Sequence, residues 1–176
     1  LTDGQGAPLT NFISWMDERA LLPHPSGKGS FLDVLLSRLS SAEDDGAFSR
    51  EIKAGSTVAI LYWLAETQGL PRHATPCSLP DFIMSRLSNT GMKCEPTMAS
   101  GFGVFDARNG AWHFEAIERL GLGAVQWPEI VPYDKVVGQY RRGARHLPMF
   151  VSLGDQPCAL LGALLQPGEL SLNVST

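Results

Sequence analysis

Gly154-Asp155-Gln156 is the stretch whose residue types and spacing most directly suggest chemistry. A carboxylate follows an apolar run, Pro148 to Leu153, that reads as a buried strand. It precedes a second apolar segment, Pro157 to Leu165, that reads as a short helix. In open α/β sheets, ligands bind at that edge. The helix N-terminus favours negative charge and offers free N–H groups to an anionic substrate. A carboxylate so placed can take a proton from a substrate hydroxyl as it attacks a phosphoryl group. It can equally act as an N-cap that satisfies only its own helix.

Two other groupings are candidates. Trp15 stands close to Asp17, Glu18 and Arg19. An aromatic face beside charged groups suits a polyol, whose C–H faces pack on the ring while its hydroxyls bond the charges. The alternative is a core tryptophan beside a surface ion pair. Asn173-Val174-Ser175-Thr176 offers amides and hydroxyls after an apolar-alternating segment, and such a turn can hold phosphate oxygens. The same residues match the Asn-x-Ser glycosylation pattern, which is incidental in a cytosolic protein.

Other chemistries lack their motifs. Gly101-Phe102-Gly103 is not a dinucleotide fingerprint, because position 106 is Asp. Neither GxxxxGK[ST] nor GxSxG occurs, and His24, His73, His113 and His146 lack metal-ligand spacing. Cys77, Cys94 and Cys158 are odd in number and widely spaced, so they form neither a disulfide framework nor a CxxC site. Cys158, on an apolar helix face, reads as core rather than nucleophile.

The elements that would position these groups follow from periodicity and punctuation. Phe12 to Trp15 reads as a short strand. Phe31 to Leu39 and Ala54 to Thr67 carry apolar residues at helical spacing. Ser78-Leu79-Pro80-Asp81 opens a third helix that ends between Ser88 and Gly91: Ser78 can cap, Pro80 suits an early position and Asp81 complements the dipole. Residues 97–105 are small and apolar, Asp106 to Gly110 is a turn, and Trp112 to Leu120 reads as a fourth helix. Ile130 to Gly138 reads as a loop or short strand. Pro167-Gly168 is a turn before a final strand over Glu169 to Val174. The sum is α/β: a helical insertion followed by a strand–turn–helix–strand unit.

Composition bounds the remaining classes. The 176 residues are 44% hydrophobic and 18% charged, which suits one globular domain. A net charge of −4 provides no field for a nucleic-acid backbone, and Arg141, Arg142 and Arg145 read as a solvated loop. No apolar run has transmembrane length, and Leu1 to Thr10 does not read as a signal peptide. A reduced, cytoplasmic protein with no membrane or nucleic-acid partner is expected. The start without Met and the stop at Thr176 suggest a piece of a longer chain, whose apolar sheet edges could self-associate.

An ordered set of segments resembles the N-terminal domain of the FGGY carbohydrate kinases. Asp3-x-x-Gly6-x-Pro8-Leu9, followed by Phe12-Ile13-Ser14-Trp15-Met16-Asp17-Glu18-Arg19, looks like the family's segment in which Trp, Asp and Arg recur. Leu79-Pro80-Asp81-Phe82-Ile83 is similar to its Asp-aromatic helix start. Glu95-Pro96-Thr97-Met98-Ala99-Ser100, then Val104-Phe105-Asp106 and Trp112, resembles its Asp-x-Thr-Asn-Ala-Ser … Leu-Phe-Asp … Trp run. Pro128-Glu129-Ile130-Val131 and Val137-Gly138 fit the stretch after it. Gly154-Asp155-Gln156-Pro157-Cys158-Ala159-Leu160-Leu161-Gly162 is similar to the stretch that holds the catalytic Asp, and Asn173-x-Ser175-Thr176 to the start of the second phosphate loop.

The resemblance implies the actin/RNase H-like ATPase fold, with this chain as an incomplete N-terminal lobe, residues 1–176. The first phosphate-loop strands and the C-terminal adenine-binding domain would lie outside it. It further implies ATP-dependent phosphorylation of a sugar or polyol, with a ketose such as sedoheptulose or xylulose favoured. Asp155 would be the general base and would also reach Mg²⁺ through water. Trp15 and Gln156 would bind the sugar, Asp17 and Arg19 would bind it or brace Trp15, and Gly154, Ser175 and Thr176 would face the phosphates. The chain departs from the pattern at Met98, where Asn is usual, and at Pro96. These departures keep open an alternative, a non-catalytic sugar-binding or interaction module derived from such a kinase. The 176 residues alone are expected to be inactive.

Overall fold

The computed structural model describes residues 1–40 and 52–172. Its body is helical. A 3-10 turn, Arg19–Leu21, leads to α1 (Phe31–Leu39) and α2 (Thr57–Thr67), which pack together. Helix α1 begins where Ser30 and Asp33 make a complete capping box, each side chain bonding the other residue's backbone N–H. Its buried face is Phe31, Val34, Leu35 and Leu39, the stripe read from the sequence. Helix α2 begins three residues later than expected, after Ser56, and buries Val58 to Tyr62 and Leu64. It is covered nearly all round at its N-terminal half, as a core helix must be.

Helix α3 (Leu79–Ser88) has Ser78 as its N-cap, with the Asp81 amide donating to the Ser78 hydroxyl at 3.1 Å. It stops at Asn89 in the left-handed conformation. Then comes a run of short elements: β1 (Lys93–Cys94), α4 (Pro96–Ser100), β2 (Phe105–Asp106), β3 (Ala111–Trp112), α5 (Phe114–Arg119) and β4 (Glu129–Ile130). Strands β2 and β3 form an antiparallel pair, and β1 and β4 a parallel one. Phe102, Trp112 and Trp127 cluster here, with Trp112–Trp127 ring centroids 4.9 Å apart and the Trp112 indole N–H donating to the Pro128 carbonyl at 2.7 Å. Strands β5 (Val136–Arg142) and β6 (Arg145–Phe150) form a ribbon, and α6 (Asp155–Gly162) follows.

Several expectations give way. Phe12 to Trp15 is not a strand. The Met16 amide donates to the Ser14 hydroxyl and the Asp17 amide to the Ser14 carbonyl, so a local turn displaces strand pairing. Trp112 is a strand residue rather than the start of α5, whose N-cap is His113. Helix α4 was not read from the sequence, because it is too short for periodicity to register, and the loop or short strand read over Ile130 to Gly138 becomes a strand only from Val136 and runs on to Arg142 as β5. The 148–153 run is not a buried strand: β6 ends at Phe150, is largely exposed, and of the run only Val151 is buried. Its apolar residues gave no sign that its one partner among the described residues is the polar strand β5. Arg141, Arg142 and Arg145 lie at the ribbon tip, not in a loop. Residues 169–172 form no strand, because the Glu169 amide and carboxylate both bond Gln166 in a turn. Cys158 is exposed, not core.

Gly138 is required where the ribbon meets α3. A Cβ there would lie 2.6 Å from Ser88 Cβ, closer than packed atoms come. Removing one cap of the helical body tests its energetics: Ser30→Ala is expected to cost about 1 kcal/mol. In a chain of this size that lowers Tm by roughly 2–4 °C in thermal unfolding.

Candidate functional site

A cavity of about 460 Å³ opens between the N-terminal loop, α2 and α3. Phe12, Trp15, Ile60, Phe82 and Met98 are among its apolar walls, and Thr10, Asn11, Thr57 and Ser78 supply polar groups. A concave, mainly apolar site with a few polar groups is the usual form of a small-molecule pocket. Trp15 is 80% exposed, so it is neither a core tryptophan nor covered by neighbours.

The Trp15 loop is held by its backbone. A Cβ on Gly55 would sit 1.6 Å from the Trp15 carbonyl oxygen, so the chain passes directly over Gly55 at the start of α2. Asp17 and Arg19 stand apart from the cavity. The Arg19 guanidinium donates two 2.8 Å hydrogen bonds to Asp17 and lies 4.9 Å over the Trp63 ring. Those bonds hold the Asp17 carboxyl below its ordinary value. The pair thus links the Trp15 loop to α2.

Asp155 is the first residue of α6 and is exposed; its Oδ1 accepts the Gln156 amide at 2.7 Å. Gly154, not Asp155, is the N-cap residue, and no side chain caps the helix. Gln156 is exposed beside Asp155. Ser175 and Thr176 lie outside the described residues. The Gly154 amide donates to the Thr97 hydroxyl at 3.1 Å. Thr97 is in α4, and the next residue, Met98, lines the cavity. The five residues of α4 therefore join the Asp155 turn to the Trp15 cavity.

Two buried carboxylates beneath the turn were not singled out as site residues from the sequence. Glu95, 6% exposed, accepts the Thr97 amide at 2.7 Å and also the Thr97 hydroxyl. Asp81, 3% exposed, accepts the Ser78 hydroxyl at 2.8 Å and the Ser152 hydroxyl. The Ser78–Asp81 spacing signals a helix start, and nothing in it announces burial. Burial pushes the Asp81 carboxyl above its ordinary value, opposed by the Ser152 and Ser78 hydroxyls and reinforced by the Glu95 charge.

No protein-family model and no curated protein sequence matches the chain. Solved structures do. Bifidobacterium adolescentis xylulose kinase matches 95% of this chain and 41% of its own, with a TM-score of 0.70 and 16% identity. Plasmodium falciparum glycerol kinase, solved with ADP, matches 93% of this chain and 33% of its own, with a TM-score of 0.67 and 16% identity. Lactobacillus acidophilus gluconate kinase matches at a TM-score of 0.57 and 18% identity, over 82% of this chain and 30% of its own. The chain has the fold of part of a sugar kinase. It spans less than half the length of each of these enzymes. Among the described residues, no helix is long and apolar enough to cross a membrane.

Two measurements test the site. Gly55→Ala forces the Trp15 carbonyl away, so Tm is expected to fall further than in Ser30→Ala. An unchanged Tm would mean that the close approach is not made. Asp81 provides a pH test. Its folded pKa lies above the unfolded value near 3.8, so folding favours its protonated form. Its contribution to stability is full below 3.8 and is lost as pH rises through the folded value. Relative to Asp81→Asn, the wild type is expected to gain urea resistance as pH falls towards 3.8, and parallel pH profiles would refute this.

Proposed function

We propose that this chain contributes the sugar-side half of the active site of an ATP-dependent carbohydrate kinase, with Asp155 as general base. The observation that carries the reading is the connection through α4. The amide of Gly154, just before an exposed carboxylate at a helix start, donates to Thr97, the residue next to one wall of a Trp15-lined cavity. The likeness of fold to xylulose, glycerol and gluconate kinases supports it.

In this reading the sugar packs a C–H face on the Trp15 ring and enters the cavity mouth. Gln156 hydrogen-bonds a hydroxyl. Asp155 accepts the proton of the attacking hydroxyl as its oxygen bonds the γ-phosphorus of ATP in line and the bridging bond to the β-phosphate breaks, releasing ADP. The N-terminus of α6, with Gly154, faces the phosphates, as do Ser175 and Thr176. Asp17 and Arg19 brace the loop rather than touch the sugar, because they bond each other. A sedoheptulose- or xylulose-like ketose is the favoured substrate class.

Among the described residues, no three His, Cys, Asp or Glu side chains gather to hold a metal. A lone exposed carboxylate fits Mg²⁺ only as an ion shared with phosphates and reached through water. When bound, it supplies charge neutralisation at the phosphoryl group.

The mainly apolar cavity, with Met98 in its wall, favours a second reading, a sugar-binding module without catalysis. One experiment separates the two. The intact protein is given ketoses and polyols with ATP and Mg²⁺, and sugar affinity is measured by calorimetry. Asp155→Asn is expected to lower kcat about 100-fold or more while sugar affinity changes little. Normal turnover in that variant would remove Asp155 as base. Sugar binding without phosphoryl transfer by the wild type would favour the binding module.

A further inference from the structure

Packing does not fix Asp155. Helix α6 buries no residue and has no side-chain cap, so a base on its first turn is free to move with it. The last buried residue before the turn is Val151. Between Val151 and Asp155 the chain is gripped twice by groups from other elements. The Ser152 hydroxyl donates to Asp81 on the first turn of α3. The Gly154 amide donates to the Thr97 hydroxyl, which itself donates to Glu95.

Helix capping accounts for only part of this. Helices α1 and α3 begin with the same Ser-x-x-Asp spacing. In α1 the carboxylate, Asp33, is exposed and among the described residues bonds Ser30 alone. In α3 the equivalent carboxylate, Asp81, is buried, and its other oxygen takes Ser152, 71 residues away in sequence. Burying a carboxylate is costly unless it is hydrogen-bonded, and two are buried here under one turn. Gly154 fits this grip closely, since a Cβ there would stand 3.3 Å from the Thr97 hydroxyl.

Resting on the kinase reading above, we propose that Asp81 and the Glu95–Thr97 pair are positioning residues that fix the Asp155 carboxylate by holding residues 152 and 154 from two elements. They touch neither sugar nor nucleotide. Charged acceptors make strong hydrogen bonds, so a hydroxyl polarised by Glu95 is a firm anchor for an amide. Displacing a catalytic group by about 1 Å can cost on the order of 100-fold in rate. Two hydrogen bonds therefore suffice to govern turnover without contributing to substrate binding.

The test uses Thr97→Val, Thr97→Ser and Ser152→Ala in the intact protein, with hydrogen exchange of residues 150–156 as a readout independent of activity. Thr97→Val and Ser152→Ala are expected to speed exchange in that segment with a fall in Tm of only a few degrees, since each leaves one buried carboxylate short of a single hydrogen bond. In both, kcat is expected to fall roughly 10- to 100-fold with KM changed less than about threefold. Thr97→Ser keeps the hydroxyl and is expected to restore both exchange and kcat. In an Asp155→Asn background, Thr97→Val is expected to lower kcat no further, because it acts through Asp155. Unchanged exchange would overturn the grip. Faster exchange with wild-type kcat, or a further full loss in the Asp155→Asn background, would overturn its catalytic consequence. Full turnover in Asp155→Asn alone would instead remove Asp155 as base, no turnover by the wild type would sink the kinase reading, and in either case the exchange data would still decide whether the grip exists.

Discussion

The Glu95 carboxylate closing onto Thr97 is a small contact on which both halves of the candidate site depend. It starts α4 by satisfying an amide that no helical carbonyl could reach. It also orients the hydroxyl that receives Gly154. One side of this short helix faces the Trp15 cavity through Met98, and the other meets the Asp155 turn through Thr97. Pro96 fits this geometry, since the first helical position needs no amide donor. The departure from the family pattern at 96 therefore suits the local backbone.

The helical body was legible because its signals are strong and redundant. Helices α1 and α3 each combine a serine cap with an acidic first turn, α1 adds an apolar stripe, and both match their expected limits to within a residue or two, whereas α2 starts three residues late and α6 spans Asp155–Gly162 rather than 157–165. The short elements carry no such redundancy. A two-residue strand such as β1 has no period to read, and its pairing with β4 depends on a partner far along the chain. The run before Asp155 misled for a different reason. Apolar content signals strand, but it cannot say whether a second layer covers that strand, and here only Val151 is covered.

Of the candidate site, the residues of distinctive type were visible in the sequence and the buried carboxylates were not. Trp15 and Asp155 stand out by type and setting. Asp17 and Arg19 looked like substrate ligands because charge beside an aromatic ring suits a polyol, yet their spacing lets each satisfy the other. Asp81 and Ser152 are ordinary residues in sequence. Their contact arises only when the fold brings α3 beneath the end of β6.

The parallel pairing of β1 with β4 has a consequence for the order of folding. Parallel neighbours cannot be joined by a tight turn, so a long crossover must be complete before they meet. That crossover contains α4, the β2–β3 hairpin and α5, and its Phe102, Trp112 and Trp127 pack into the same core as α1 and α2. Closing it costs loop entropy that local contacts must first offset. The segment from Lys93 to Ile130 is joined at its ends by the β1–β4 pairing and the Lys93–Glu129 ion pair. Helix α4 lies within this crossover, so the hydrogen bond that receives Gly154 and the β1–β4 pairing depend on the same loop closure.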